Sequence, residues 1–482
     1  MAKITEMRAS VNLDPLFYPE TVAVVGASPD IVRDRAGFFH SLRQCFAGRL
    51  YPVNPRHEEM LGLKCYARVS EIPERIDYAI IMLPREKVAE VLKDCVSAGT
   101  RFVLVFTSGF SEVGDVAREN ELMQILAGGQ TRMIGPNCIG AHCPERGLAY
   151  YPPMMSESPG SVAFFSQSGG HALNFLLRGL SLGIIFNKVI SVGNQADLKI
   201  VDFIEYFASD DRIKYICGYI EDIKHPERFR RAVEYTVLEK KKPFVLWKGG
   251  RSEDGSRATQ SHTGAMAVPV KIWDGAMSQM GVINAESQDE MADIIQALGC
   301  NFRPRGLRAC IAVAGGGSSV ELTDILCANG LRVPELSHEV QAMIGEGISQ
   351  VNTSTKNPID LGMFGFAPDV LVRSAERAAR DPNIDLVAIC QYPEIVRFMV
   401  KDLWDASVDA MVQGLSRLTK PVVMIMPKVV HNRADVEELR ASFVKKLNAA
   451  GILSFSDAGR MARTTAKIYG YLRFMARRGI EV

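Results

Sequence analysis

Apolar residues in this chain fall in short runs, and between the runs they recur every third or fourth position. The runs read as buried strands and the spaced stretches as amphipathic helices. Thr21–Val25, Leu50–Val53, Ile76–Leu83, Arg101–Phe106 and Arg132–Ile134 are predicted strands, with helices over Ala36–Ala47, Arg85–Ala98 and Asp115–Leu126. The pattern restarts with strands at Ser161–Phe165, Val189–Val192, Tyr215–Ile220 and Pro243–Trp247. After Arg303-Pro304-Arg305-Gly306, which reads as a linker, it restarts again at Leu307–Ala314, Ile384–Cys390, Val422–Met426 and Ile452–Phe455. Strands alternating with helices predict parallel sheets with crossover helices. The expected fold class is α/β, in three consecutive units bounded at 1–150, 151–302 and 303–482.

In such sheets ligands gather at the carboxyl ends of the strands. In the first unit, strand Thr21–Val25 runs into Gly26-Ala27-Ser28, the opening of a nucleotide-binding Rossmann unit. The second strand ends in Asn54-Pro55-Arg56 rather than in the acid that would hold a ribose. An arginine there favours an extra phosphate, as in NADP or the 3′-phosphorylated ADP of coenzyme A. Thr107-Ser108-Gly109 and Asn137 lie in two further strand-end turns.

The second unit carries two candidate phosphate features. Ser166-Gln167-Ser168-Gly169-Gly170 opens a helix, and free N–H groups at a helix start make an anion site. Lys248–Ala267 reads as a long polar loop after a strand, with His262 between Ser261 and Thr263 and with Gly264 next. Neutral imidazole is nucleophilic near pH 7, and neighbouring hydroxyls and amides would receive phosphate oxygens. Glu221 ends the preceding predicted strand, so a neighbouring pair of strands would bring its carboxylate to the imidazole. Capping of the next helix is the other reading of Glu221. In the third unit Gly315-Gly316-Gly317-Ser318-Ser319 reads as an anion cradle or as a tight turn.

Composition narrows the class. The 482 residues are 47% apolar and 23% charged, with a net charge of +1, so bulk attraction to nucleic acid or an anionic membrane is not indicated. No apolar run approaches the length of a membrane span, and residues 1–17 lack the pattern of a signal peptide, so a cytoplasmic protein is expected. Ten scattered cysteines without a Cys-x-x-Cys pair read as reduced thiols. Cys138, His142 and Cys143 cluster in sequence, but no second ligand pair sits at a matching spacing, and no metal is expected.

Nine motifs occur in order: VAVVGAS at Val22–Ser28, YPVNPR at Tyr51–Arg56, GLKCY at Gly62–Tyr66, GPNCIG at Gly135–Gly140, FSQSGG at Phe165–Gly170, SVGNQADL at Ser191–Leu198, YIEDIK at Tyr219–Lys224, SHTGA at Ser261–Ala265 and NPIDL at Asn357–Leu361. Through them the chain resembles the α subunit of nucleoside-diphosphate-forming acyl-CoA synthetases, the ADP-forming acetyl-CoA synthetases related to succinyl-CoA synthetase. The resemblance implies a CoA-binding Rossmann domain followed by two flavodoxin-like doubly wound domains. It implies that phosphate attacks an acyl-CoA, that His262 takes the phosphoryl group from the acyl phosphate, and that ADP accepts it. Glu221 would orient His262; Ser166, Gln167, Ser168 and Gly169, with Ser261, Thr263 and Gly264, would cradle the phosphate. Coenzyme A would lie on Gly26, Ala27, Ser28, Asn54, Pro55, Arg56, Pro84, Thr107, Ser108, Gly109 and Asn137.

The resemblance further implies that ATP or ADP with magnesium binds an ATP-grasp β subunit, in an α2β2 assembly, because no ATP-grasp pattern is found in this chain. Three departures stand out: ASPDIVRDRAG replaces a turn often carrying glycine and lysine, with Arg33 or Arg35 as substitutes; GGGSS replaces a GGPG-like turn; and His171 stands where relatives often have a small residue. Two other readings compete. A non-catalytic CoA- or acyl-CoA-binding regulatory module would use the same turns, and an NADP-dependent oxidoreductase would leave the SHTGA segment without a role.

Overall fold

A computed structural model describes residues 11–30, 37–151, 155–156, 159–263, 269–349 and 351–481, with the backbone alone described at 258 and 260–263. The chain forms two compact units, Met1–Ala292 and Asp293–Val482.

The first unit holds two sheets. In one, β1 (Thr21–Val25), β2 (Arg49–Val53), β5 (Tyr78–Ile81), β6 (Phe102–Val105) and β7 (Arg132–Ile134) lie in the order β2-β1-β5-β6-β7, all parallel. A two-stranded hairpin, β3 (Glu59–Met60) and β4 (Leu63–Lys64), is inserted after β2. Every residue of β1, β5 and β6 is buried, as a parallel sheet covered on both faces requires. Order reverses between β1 and β5, the switch point where a crevice opens.

In the other sheet the order is β13-β12-β11-β9-β10-β8. Its strands are β8 (Gly140–His142), β9 (Val162–Ser166), β10 (Phe186–Ser191), β11 (Tyr215–Ile220), β12 (Phe244–Lys248) and β13 (Ile283–Ala285). The five from β9 on are parallel in the doubly wound order, and β8 adds an antiparallel edge. The chain therefore reaches the second sheet at residue 140, earlier than the expected boundary at 150. Helix α1 (Gly169–Ser181) follows β9, and α2 (Glu253–Thr263) follows β12.

The second unit has one parallel sheet, β15-β14-β16-β17-β18, formed by β14 (Ala309–Val313), β15 (Ile359–Asp360), β16 (Leu386–Cys390), β17 (Val422–Ile425) and β18 (Leu453–Phe455). Helix α3 (Gly316–Ala328) follows β14. Its core packs Ile359, Leu371, Val408, Met424 and Phe443 against the sheet.

Within the segment Lys248–Ala267, read from its composition as a loop, the described residues differ from that reading, and residues 264–267 lie outside them. Residues 253–263 form α2, because the start is well capped. Ser252 Oγ accepts from the Gly255 amide at 3.0 Å, Glu253 and Asp254 sit in the positively polarised first turn, and Arg257 pairs with Asp254 three residues back. Glycine and serine content hid a capped helix.

Candidate active site

The turn between β9 and α1 is built by its own side chains. Ser166 Oγ accepts from the Ser168 amide at 3.1 Å and donates to the Ser168 carbonyl at 2.7 Å. Ser168 caps α1 by accepting from the His171 amide at 3.3 Å, and the Ala172 amide reaches the Ser168 carbonyl at 3.0 Å. The amides of Gly169 and Gly170 have no partner among the described residues, so the first turn of α1 presents two donors. Gln167 spends its side chain elsewhere. Its Oε1 accepts from the amides of Glu221 and, at 3.0 Å, of Asp222, and its Nε2 donates to Asp222. Of the predicted cradle, Ser166 acts on the turn itself, while Gln167, Ser168 and Gly169, with Gly170 beside them, line the cleft described below.

Glu221 follows β11 directly and is buried. β11 pairs with β9 on one side and with β12 on the other. The carboxylate thus stands between the strand feeding α1 and the strand feeding α2. Tyr219, two residues back on the same face, donates its hydroxyl to Glu221 Oε1 at 3.1 Å. His171, Tyr219 and Trp247 form a ring cluster with centroids 4.4–4.7 Å apart. Burial holds the His171 imidazole below its usual pKa, against the opposing charge of Glu221. The backbone of His262 lies in the last turn of α2; the side chains of Ser261, His262 and Thr263, and Gly264 and Ala265 altogether, lie outside the described residues, as do Arg33 and Arg35.

Every described residue expected to hold coenzyme A falls at the carboxyl end of a strand in the first sheet. Gly26, with φ of 90°, turns the chain where an added Cβ would come within 2.9 Å of the Met82 carbonyl. Asn54 donates to the Ala27 carbonyl at 3.0 Å and accepts from the Arg56 amide at 3.1 Å, leaving the Arg56 side chain exposed. Thr107 Oγ1 donates to the Leu83 carbonyl at 2.6 Å, and Asn137 adopts a left-handed φ of 63° with its amide on the Thr107 carbonyl. The Gly109 amide is already taken by Glu112.

A cleft of about 550 Å³ joins the two halves. Pro84, Thr107, Ser108 and Asn137 line one side, and Gln167, Ser168, Gly169, Gly170 and Leu173 the other. Met82, Leu83, Phe106, Cys138, Ile139 and Tyr150 complete the wall, and burial keeps the Cys138 thiol protonated by raising its pKa. Gly26, Ala27, Ser28, Asn54, Pro55, Arg56 and Gly109 do not line it. Nor do Glu221 and its neighbour Tyr219, which stand behind Gln167. Tyr219, on the Glu221 carboxylate, was not singled out from the sequence; the signal for it was its i+2 spacing from Glu221.

Two family descriptions match this division of labour: a CoA-binding domain over residues 20–144 and a succinyl-CoA ligase-like flavodoxin domain over residues 159–298. Together these two domains place the chain in the class of nucleoside-diphosphate-forming CoA ligases. The ADP-forming acetate–CoA ligase II subunit alpha of Pyrococcus furiosus is 37% identical over 385 residues, covering 79% of this chain and 83% of that protein. The ADP-forming acetate–CoA ligase I of Archaeoglobus fulgidus is 32% identical over 78% of this chain. The structure of acetyl-coenzyme A synthetase 1 from Candidatus Korarchaeum cryptofilum, in complex with phosphate and ADP, superposes with a TM-score of 0.80 at 31% identity, covering 98% of this chain and 99% of that one. The chain belongs to the ADP-forming acyl-CoA ligase family, on the side of its α subunits. It spans 54% of the Archaeoglobus protein and 49% of a Methanocaldococcus jannaschii acetate–CoA ligase, about half of each.

Proposed function

We propose that this chain is the catalytic α subunit of an ADP-forming acyl-CoA ligase, interconverting carboxylic acid, CoA and ATP with acyl-CoA, ADP and phosphate. Its three expected parts, 1–150, 151–302 and 303–482, are a CoA-binding domain, the phosphohistidine domain and a second ligase domain. A phosphate oxygen attacks the thioester carbonyl, the C–S bond breaks and CoA leaves as thiolate. His262 then attacks phosphorus, the P–O bond to the acyl group breaks and the carboxylate leaves. The P–N bond is broken when a terminal oxygen of ADP accepts the phosphoryl group. Such transfers depend on positioning and on stabilising charge more than on covalent help. Glu221 orients the imidazole, and the amides of Gly169 and Gly170 with Ser168 receive phosphate oxygens near the thioester end of CoA. A helix start contributes only about 0.3–2 kcal/mol to a bound anion, so Ser261, Thr263 and Gly264 complete the cradle.

The observation that carries this reading is topological. One cleft is lined by the turns after β5, β6 and β7 and by the start of α1, while Glu221 stands between α1 and the strand feeding His262. The nucleotide and its magnesium belong to a separate ATP-grasp subunit, in an α2β2 cytoplasmic enzyme. The regulatory-module reading leaves His262 and Glu221 without a task. The test is acid-labile radiolabel on the chain after incubation with radiolabelled phosphate and the acyl-CoA it turns over fastest among acetyl-, 4-hydroxybutyryl- and feruloyl-CoA. His262→Ala loses the label completely; full labelling of that variant overturns the reading.

A further inference from the structure

Three lysines are buried among the described residues: Lys188, Lys242 and Lys248. A buried ammonium is costly unless it is paired, so each needs a reason. Lys188 has one, an ion pair with Asp210. Lys242 has another: it donates to the carbonyls of Phe207, Ala208 and Asp210, at the carboxyl end of the helix Ile200–Ser209, where a cation is favoured. Lys248 has neither. It is 7% exposed, no carboxylate lies within 4.0 Å of it among the described residues, and burial holds its pKa below the usual value. Its ammonium donates to the Glu221 carbonyl at 3.2 Å and the Gly249 carbonyl at 2.9 Å, and it lies 5.6 Å from the centre of the Trp273 ring.

The two carbonyls belong to the residues just beyond β11 and β12. One carries the carboxylate proposed to orient His262, and the other begins the segment that leads to His262. Glu221 is meanwhile held from two other directions, its amide by Gln167 and its carboxylate by Tyr219. We propose that Lys248 is a positioning residue for phosphoryl transfer, tying the end of β11 to the end of β12 so that the Glu221 carboxylate keeps a fixed orientation. This rests on the reading of Glu221 and His262 given above. Replacing a buried charge by a well-packed apolar side chain is often neutral or stabilising, so stability alone does not call for a lysine here. The ammonium instead supplies donors to two carbonyls from different strands, which no apolar side chain can do.

The test is the single-turnover rate of acid-labile labelling from radiolabelled phosphate and acyl-CoA on the full chain. Lys248→Met is expected to slow labelling about ten- to a hundredfold, the range seen when an orienting partner is lost, with the acyl-CoA concentration for half-maximal rate unchanged within about twofold. Lys248→Arg, which keeps charge and donors, recovers part of the rate. The decisive comparison uses Glu221→Gln: adding Lys248→Met to it slows labelling no further, because the carboxylate to be positioned is gone. Wild-type labelling by Lys248→Met, or equal slowing in both backgrounds, overturns the proposal. Should Lys248→Met not fold, Lys248→Arg in the same cycle keeps the test: equal slowing of wild type and Glu221→Gln rejects it, and slowing of wild type alone supports it. Labelling of His262→Ala is scored separately. If it is labelled, the phosphohistidine reading falls and takes this proposal with it; if it is not, only the Lys248 variants decide.

Discussion

The sheet of β9 to β13 and the sheet of β14 to β18 have the same strand order, yet they hold the turns before their helices differently. In each, the first strand runs through a short turn into a helix whose amino end faces the carboxyl edge of the sheet. In the first, the capping is local and small: Ser168 accepts from the His171 amide, and the amides of Gly169 and Gly170 stay open to the cleft. In the second, a carboxylate from the neighbouring strand takes the turn. Asp360, the last residue of β15, accepts from the amides of both Gly315 and Gly362 at 2.9 Å through one oxygen. The Gly315–Ser319 segment, read from sequence as an anion cradle or a tight turn, is a turn whose first donor already holds an anion of its own chain. The amides of Gly316 and Gly317, at the positions of Gly169 and Gly170, have no partner among the described residues, so the two sheets differ in how the turn before the helix is held, by a serine hydroxyl in one and a carboxylate in the other.

The largest effect that sharpens this contrast comes from the edge strand found in one sheet only. β8 carries His142, which is 6% exposed and has no partner on either ring nitrogen among the described residues. Burial lowers its pKa to about 3. Unfolded, a histidine titrates near 6.5. Above that pH both states are neutral and the full stability is present; as pH falls from about 6.5 toward 3, only the unfolded chain gains the proton and stability is lost. By pH 4 the loss is about 3 kcal/mol. The two histidines of the second unit, His338 and His431, are exposed. Denaturant titrations at pH 7 and pH 4 should show the acid loss in the first unit, and His142→Leu should remove most of it. An unchanged pH slope in that variant would mean that the two units do not differ in this way.

The next effect tests the turn in the second unit. Asp360→Ala leaves two partly buried amides without their acceptor, which costs about 1–3 kcal/mol. For a unit of this size that is a fall in melting temperature of roughly 2–4 °C per kcal/mol. Asp360→Asn keeps an oxygen acceptor and should lose less than half as much. If Asp360→Ala melts with wild type, the carboxylate does not hold the turn before α3, and the contrast between the sheets disappears.

Much of this arrangement was legible in the chain. β1, β7 and β11 fall on the predicted residues, because a buried parallel strand is a short apolar run with turn residues at both ends. The strand-end placement of Asn54, Thr107 and Asn137 followed from the same alternation. What escaped has a physical reason in each case. α2 was hidden because its capping serine, acidic first turn and Arg257 look like loop composition until they are placed at helical spacing. β8, with the sequence Gly-Ala-His, has no apolar run and exists only through its pairing with β10. The partners of the Gln167 side chain, the amides of Glu221 and Asp222, could not be read because they are more than fifty residues away. Lys248 read as the polar start of a loop, since nothing in a sequence says that an ammonium will be buried.

The smallest effect separates capping from ligand binding at α1. Ser168→Ala removes the acceptor for the His171 amide and should cost about 1 kcal/mol of stability in denaturant titration. Ser168→Gly should cost only a few tenths, because glycine is itself tolerated at a helix start. Both variants lose the same hydroxyl from the cleft. If that hydroxyl also donates to a bound phosphate, each should raise the phosphate concentration for half-maximal labelling by about fivefold, the equivalent of one ordinary hydrogen bond of about 1 kcal/mol. The two measurements therefore part company: stability falls in Ala and barely in Gly, whereas the phosphate requirement rises equally in both. A phosphate requirement that tracks stability instead would reduce Ser168 to a cap, and the open donors of α1 would then be the two glycine amides alone.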